Sequence, residues 1–385
     1  MTSRDRMLAA LTGMTPDRLP ATTHHVMPSF LAGQLGGAST AAFFERFGLD
    51  AIDWVVVHRP TPGSDDRLDP DQGEPGFLEP RLVVNDRWLI RREPIPAADY
   101  VTTRYRFVTP GGELTMVVRT SKTTSWVAER LIKRRRDIDV LGSYLPSPAC
   151  DVGAVNRAAD ATGSRGIVRG HICGFDVFGQ PGVWQDAACL VGIETLILAT
   201  YDDPAWVHGL LRILERRKVA FARSLAGARY DLVELGGGDA SSTVISPRLF
   251  DQFVAPYDIP IIEAAHAARQ RVVYNTCGGM MPILSRIAAM GPDAMETFTP
   301  PDMGGDADLA RAREVLGDGL TMIGGFDQAH FLSGCRPDDT RAEIRRIFEA
   351  AARRGRYILA PSDHFFEADL GLLHAFADEA ARCVY

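Results

Sequence analysis

The strongest constraint on this chain is an alternation repeated along its length. Short apolar runs recur eight times, each followed by a polar or glycine-rich turn and then a helical pattern. They are "RLPATTHH" (18–25), "DAIDWVVVH" (50–58), "RGIVRGHICG" (165–174), "YDLVELGGGD" (230–239), "QRVVYNTCGG" (270–279), "PDAMETFTP" (292–300), "GLTMIGGFD" (319–327) and "GRYILAPSDHF" (355–365). Consecutive Val, Ile, Leu and Met mark strands buried on both faces, as in a parallel sheet covered by helices. The segments between them read as helices. "SPRLFDQFVAPYDIPIIEAAHAARQ" (246–270) opens on Ser-Pro, and "TRAEIRRIFEAAARRG" (340–355) ends on a capping glycine. Eight such units predict an α/β fold, a (β/α)8 TIM barrel occupying residues 1–385 as a single domain. An open doubly wound sheet is the alternative.

One region breaks the alternation. Residues 80–130 alternate apolar and polar positions around a "PGG" turn, the pattern of an antiparallel hairpin. A Pro/Gly/Asp loop, "RPTPGSDDRLDPDQGEPG", precedes it. We therefore expect a small antiparallel β insertion between strands 2 and 3, within an inserted region at 62–150. The opening "MTSRDRMLAALTGMTPDRLP" reads as an amphipathic helix ending near Pro16, and it lacks the continuous apolar core of a signal peptide.

Composition narrows the function classes. The net charge is −7, which argues against a nucleic-acid or anionic-membrane surface. The basic run "RLIKRRRDIDV" reads as a solvated helix face, with contact to an anionic substrate as the alternative. No apolar run reaches the ~18 residues a membrane helix needs. Six cysteines without framework spacing fit a reducing cytoplasm. The expected partner is a small-molecule substrate, with no nucleic acid and no membrane.

In a barrel, chemistry belongs at the C-terminal ends of the strands. Those ends carry His24 and His25, His58, His171 with Cys173, Glu234 with Asp239, Asn275 with Cys277, Glu296, Asp327, and Asp363 with His364. So many proton-transfer and metal-binding side chains on one rim exceed what solvation requires. Each also has a plainer reading: Cys173 and Cys277 as small packing residues, Glu296 as a hydrogen-bonded buried carboxylate, and His364 as a neutral donor to a carbonyl. Glu234 and Asp239 surround three glycines, where backbone can approach a ligand closely. Asp327 sits at a strand tip, placed to orient a histidine or bind a substrate donor.

Several stretches resemble the uroporphyrinogen decarboxylase superfamily, which also contains zinc-dependent, corrinoid-linked methyltransferases. They are "MTSRDRMLAALTGMTPDRLPATT", "ISPRLFDQFVAPYDIPIIEAAHAARQRVVYNTCGG", "GPDAMETFTPPDMGGDADLARAREVLGDGLTMIGGFDQ" and "RGRYILAPSDHFF". The resemblance covers nearly the whole chain and implies a (β/α)8 barrel with a deep pocket at its C-terminal face, in a monomer or homodimer. The methyltransferase branch holds zinc with a His-x-Cys pair after strand 5 and a further Cys after strand 8. Here Cys277 matches the first cysteine, Asn275 replaces the histidine, and Asp363 lies near the second cysteine with His364 beside it. "HICG" at 171–174 spells the pair literally, but after strand 3. The decarboxylase branch's N-terminal arginine motif is absent from "ATTHHVMPSFLAGQ", and its aspartate after strand 2 falls near Val57.

Two expectations of different class follow. The first is a zinc-dependent methyl-group transferase or demethylase. Its metal ligands are Cys277, Glu296 and His364, with His24 or His25 as the candidate fourth donor, and a partner protein carries a corrinoid acceptor. The second is a metal-free decarboxylase in which Asp363, His364 or Asp327 is the general acid. In both, His24, His25, His58, His171, Glu234, Asp239 and Asn275 contact substrate. A non-catalytic small-molecule-binding barrel is the third reading.

Overall fold

The computed structural model describes residues 1–55, 58–59, 64–68, 81–121 and 124–385. In chain order its strands are β1 (Ala51–Trp54), β2 (His58–Arg59), β3 (Ser64–Leu68), β4 (Arg81–Asn85), β5 (Leu89–Ile95), β6 (Val101–Thr109), β7 (Gly112–Thr120) and β8 (Ser125–Glu129). They continue as β9 (Ala149–Cys150), β10 (Gly166–His171), β11 (Leu232–Gly236), β12 (Val272–Asn275), β13 (Ala294–Thr297), β14 (Thr321–Phe326) and β15 (Tyr357–Pro361). A curled parallel sheet of seven strands, ordered β1-β10-β11-β12-β13-β14-β15, forms the centre. Every residue of β12, β13, β14 and β15 is buried, because helices cover the outer face while the inner face closes on itself.

The first apolar run does not form a strand of its own. It contributes an isolated bridge instead, Ala21 opposite Leu359. Leu359 N–H donates to Pro20 O at 2.8 Å, Thr22 N–H to Leu359 O at 2.9 Å, and Asp50 N–H to Ala21 O at 2.7 Å. Residues 20–22 thus link β15 to the start of β1. Pro20 has no N–H to extend the ladder, which keeps the pairing short.

The N-terminal helix Ser3–Thr12 seals the other end of the strands. A capping box between Thr2 and Asp5 starts it, and Gly13, at φ +79°, ends it before Pro16, earlier than expected. Arg4 forms a two-pronged ion pair with Asp231, at 2.6 Å on each prong. Arg6 reaches Asp50 at 2.6 Å, and Thr321 Oγ1 donates to Ala10 O.

The predicted helix over 246–270 divides into Pro247–Phe253 and Ala255–Ala267. Val254 separates the two, and Pro256 lacks the N–H that would bond back to Gln252 across the junction; Pro260 lies within the second helix. The helix predicted from 340 begins earlier, at Pro337, and ends in a π-helical turn, Phe348–Ala352.

Between β1 and β10 the chain builds an antiparallel four-strand sheet, β5-β6-β7-β8. Its buried face (Trp88, Tyr105, Phe107, Met116) packs towards the curled sheet, and Phe107 meets Phe175 with ring centroids 5.4 Å apart. The Pro/Gly/Asp loop predicted over 59–76, and Val57, lie largely outside the described residues. Among the described residues no single helix is long and apolar enough to cross a membrane. Val183–Val191 and Ile193–Asp202 reach that length only as a pair bent by 103°.

Candidate functional site

Strand geometry selects the site. Side chains alternate faces along a strand, and directly opposed residues of a parallel pair share a face. Trp54 opposes Arg169, His171 opposes Glu234, Gly236 opposes Asn275, and Asn275 opposes Glu296. All of these therefore look into the curl of the sheet, near its C-terminal end. Glycine at 236 is needed there: at φ +106° a Cβ would run into Asn275 O.

A buried charged group results. Arg169 Nη2–H donates to Glu234 Oε2 at 2.9 Å and also to Glu296 Oε1. Asn275 Nδ2 donates to the same Glu296 oxygen at 3.2 Å. His24 arrives from the segment after the 20–22 bridge. Its Nδ1 lies 3.3 Å from Glu296 Oε2, and its Nε2 lies 3.7 Å from Glu234 Oε2. Trp54 forms a wall: its Nε1–H donates to His24 O at 2.7 Å, and the Arg169 guanidinium stacks 4.6 Å from its ring centroid.

The two carboxylates differ in proton affinity. Burial would raise both. At Glu296 the Arg169 charge and the His24 contacts outweigh burial and hold the carboxyl ionised. At Glu234 burial prevails over Arg169 and His24, with Glu296 adding repulsion, so the carboxyl is raised above its ordinary value. Glu234 is also the more open of the two, at 12% exposure against 2%. A cavity of about 10 Å³ adjoins the group, lined by Thr22, Ile52, Arg169, Glu296 and Ile323 among others. That volume is room for one water. Thr22 Oγ1 and Arg169 Nε, both buried there, have no hydrogen-bond partner among the described residues. A much larger groove of about 610 Å³ lies on the outer helical layer, between Pro204–Ser224 and Ala255–Ala267. It carries no part of this group.

His25 packs against Trp54 (4.4 Å between centroids) and His24 (4.0 Å). Burial, then the neighbouring His24, Arg169, His364 and His171, hold its imidazole neutral. His171 Nδ1 sits 2.7 Å from Ile172 O. His364 lies 2.8 Å from Asp363 and stacks edge-on with Phe366. Asp363 is lowered because the hydrogen bond and charge of His364 overcome its burial. Cys277 Sγ is 3.8 Å from Asn275 Oδ1. Burial, followed by the charges of Asp363, Glu296 and Glu234, pushes its thiol up to about 12.

The sequence-predicted residues thus separate. His24, Glu234, Asn275 and Glu296 meet around Arg169, with His25 and His171 at the border. Among the described residues, His24, Glu234 and Glu296 are the three with metal-ligand atoms within 4.8 Å of one another; Cys277 and His364 do not join that group. Asp327 accepts a hydrogen bond from Ala329 N–H at 2.8 Å, capping the short turn Gln328–Phe331. Asp239 sits in the turn Gly238–Ala240, where its carbonyl accepts from Trp184 Nε1 and burial raises its carboxyl. Cys173 is buried, 3.7 Å from Arg217. The backbone pairs His58 with Cys150, but the His58 side chain lies outside the described residues. Arg169 was not anticipated. Its signal was a single charge inside the apolar run "GIVRGH".

One imidazole and two carboxylates are suitable zinc donors in kind. In this arrangement, however, Arg169 already bonds to both carboxylates, so the group as built does not fit a metal.

A family model described as uroporphyrinogen decarboxylase (URO-D) matches residues 179–380. A curated protein of Nocardia farcinica (strain IFM 10152) named uroporphyrinogen decarboxylase is 28% identical over 174 residues. The match covers 45% of this chain and 45% of that protein, so the chain matches less than half the length of this relative. A solved methyltransferase from Methanosarcina mazei superposes with a TM-score of 0.62 over 99% of both chains at 16% identity, which establishes likeness of fold. A B12-independent methionine synthase from Shewanella sp. W3-18-1 aligns more loosely: TM-score 0.43, 7% identity, 67% of this chain and 69% of that one.

Proposed function

We propose a function for a chain that belongs to the uroporphyrinogen decarboxylase (URO-D) family: a carbon–carbon lyase that decarboxylates a small aromatic or heteroaromatic acid by proton transfer. The whole chain acts as one (β/α)8 barrel, with residues 20–22 completing the ring and 62–150 as an insertion. The observation that carries the reading is the Glu234–Glu296 pair. Two neighbouring carboxylates whose environments push their proton affinities apart have the makings of an acid and an electrostatic partner. Glu234, the more open and more readily protonated, is the general acid, with His24 beside it. As the bond to the departing carboxylate breaks, its electron pair stays on carbon and takes the Glu234 proton, and carbon dioxide leaves. Glu296, fixed by Arg169 and Asn275, keeps the site's charge constant. Trp54, His25, His171, His364 and Phe366 offer flat surfaces suited to a planar substrate.

The test is carbon dioxide release from a panel of aromatic carboxylic acids in deuterated water. Active acids should give product carrying one deuterium, and Glu234→Gln should lower the rate by roughly 10²–10⁴-fold. Full activity in Glu234→Gln would remove Glu234 from the role. Silence of the wild type on every acid would remove decarboxylation.

A second reading, methyl-group transfer or demethylation, is favoured by one observation: His24, Glu234 and Glu296 are donor types that suit zinc and stand within 4.8 Å of one another. That reading needs Arg169 to withdraw. It also needs an acceptor from outside the chain, such as a corrinoid on a partner protein.

A further inference from the structure

We propose that Arg169 is the resident cation of the His24–Glu234–Glu296 group and stands where a divalent metal would otherwise bind, so that this chain gains a zinc site there only when Arg169 is removed. The contacts are specific. The Glu234 oxygen nearest His24 is Oε2, and that same atom accepts from Arg169 Nη2 at 2.9 Å. A zinc ion shared by His24 Nε2 and Glu234 Oε2, at about 2.0–2.2 Å from each, would sit against the guanidinium that already holds the oxygen. Two cations cannot share one carboxylate pair at that range without strong repulsion.

Among the described residues the guanidinium is closely enclosed. Arg169 is 1% exposed and lies in the interior of β10, with Trp54 across its face and both glutamates on one nitrogen. Asn275 donates its amide to Glu296 Oε1 and so serves the same arginine-centred network. A neutral amide donor favours a carboxylate that is already paired, and it offers no imidazole to a metal.

The functional meaning of this inference rests on taking the group as the reactive centre. Its test reads metal binding and not turnover, so the two can fail separately. Zinc affinity is measured with zinc ion against a chromogenic chelator for the wild type, Glu296→Gln, Arg169→Met, Arg169→Lys and the double variant Arg169→Met/Glu296→Gln. Thermal melts with zinc and with chelator accompany each. The expected result is no zinc equivalent in the wild type that depends on Glu296. Arg169→Met should take up one zinc, at least about 100-fold more tightly than any uptake by the wild type, and lose it again in the double variant, while Arg169→Lys behaves as the wild type. If Arg169→Met is unfolded without metal, zinc should restore its melting transition. A wild-type zinc equivalent that disappears in Glu296→Gln overturns the proposal. So does an Arg169→Met protein that neither binds zinc nor is restored by it.

Discussion

Arg169 and Glu296 meet in the interior of the sheet as an ion pair whose side chains are 1% and 2% exposed. They come from strands 127 residues apart, and the same guanidinium nitrogen also serves Glu234. Charges this deeply buried are tolerated because each is paired and hydrogen-bonded, and removing one partner leaves the other stranded.

Glu296→Gln should therefore destabilise the fold by about 3–5 kcal/mol. Glu234→Gln should cost only about 1 kcal/mol, since Glu234 is more open and Arg169 keeps Glu296. Urea unfolding midpoints of the two variants, at unchanged slope, check the order. Equal losses would mean that the two glutamates share Arg169 evenly.

Asp258 links stability to pH. It is buried, accepts from Val183 N–H and Tyr274 Oη–H, and burial raises its carboxyl from 3.8 to about 6. Because the folded pKa is raised, its contribution is fully present below pH ~4, where both states are protonated. It is lost progressively as pH rises towards 6, by about 3 kcal/mol in all. Asp258→Asn should remove that component. The stability difference between variant and wild type should thus shift in the variant's favour from pH 4 to pH 7, as read by urea unfolding at each pH.

Cys277 should be a poor nucleophile as it stands. With its thiol pushed up to about 12, roughly one molecule in 10⁵ carries the thiolate at pH 7. Brief alkylation of the native protein followed by mass mapping should label the exposed Cys335 and spare Cys277. Asp363→Asn removes the foremost of the charges that raise the thiol and should speed labelling of Cys277, an effect absent at Cys335.

Two buried cations hold the segment that follows β10. Arg217 donates to Pro146 O, Gly174 O and Asp176; Lys218 donates to Cys173 O and Gln180 O and pairs with Asp186 at 2.9 Å. Arg217→Met should cost about 3–5 kcal/mol, because the buried ion pair with Asp176 and the bonds to Pro146 O and Gly174 O are lost together. Hydrogen exchange should accelerate most across residues 172–182. A loss spread evenly over the protein would show that Arg217 supports the fold at large and not this segment.

The alternation of apolar runs with helical patterns was enough to read seven parallel strands and their helical cover, because a strand buried on both faces must be apolar at every position. Glu234, Asn275 and Glu296 were legible as polar residues at strand ends, where the chemistry of such a fold gathers. The strand expected at 18–25 shrank to a three-residue bridge, since Pro20 limits its pairing. The helix over 246–270 broke at Val254, where Pro256 removes a donor. These are local effects that the one-dimensional pattern carries only weakly.

What the sequence by itself determined is which face each strand residue takes, a consequence of the two-residue repeat. Which of those residues meet was decided only by the tertiary structure. The register through β10, β11, β12 and β13 puts Arg169, Glu234 and Glu296 on one face at successive rungs two residues apart, within reach of the long arginine side chain. The 20–22 bridge then delivers His24 to them from the far end of the chain. The expected Cys277–Glu296–His364 grouping gave way to an arginine-centred one because register and the curl of the sheet are long-range properties. No spacing within a single segment encodes them.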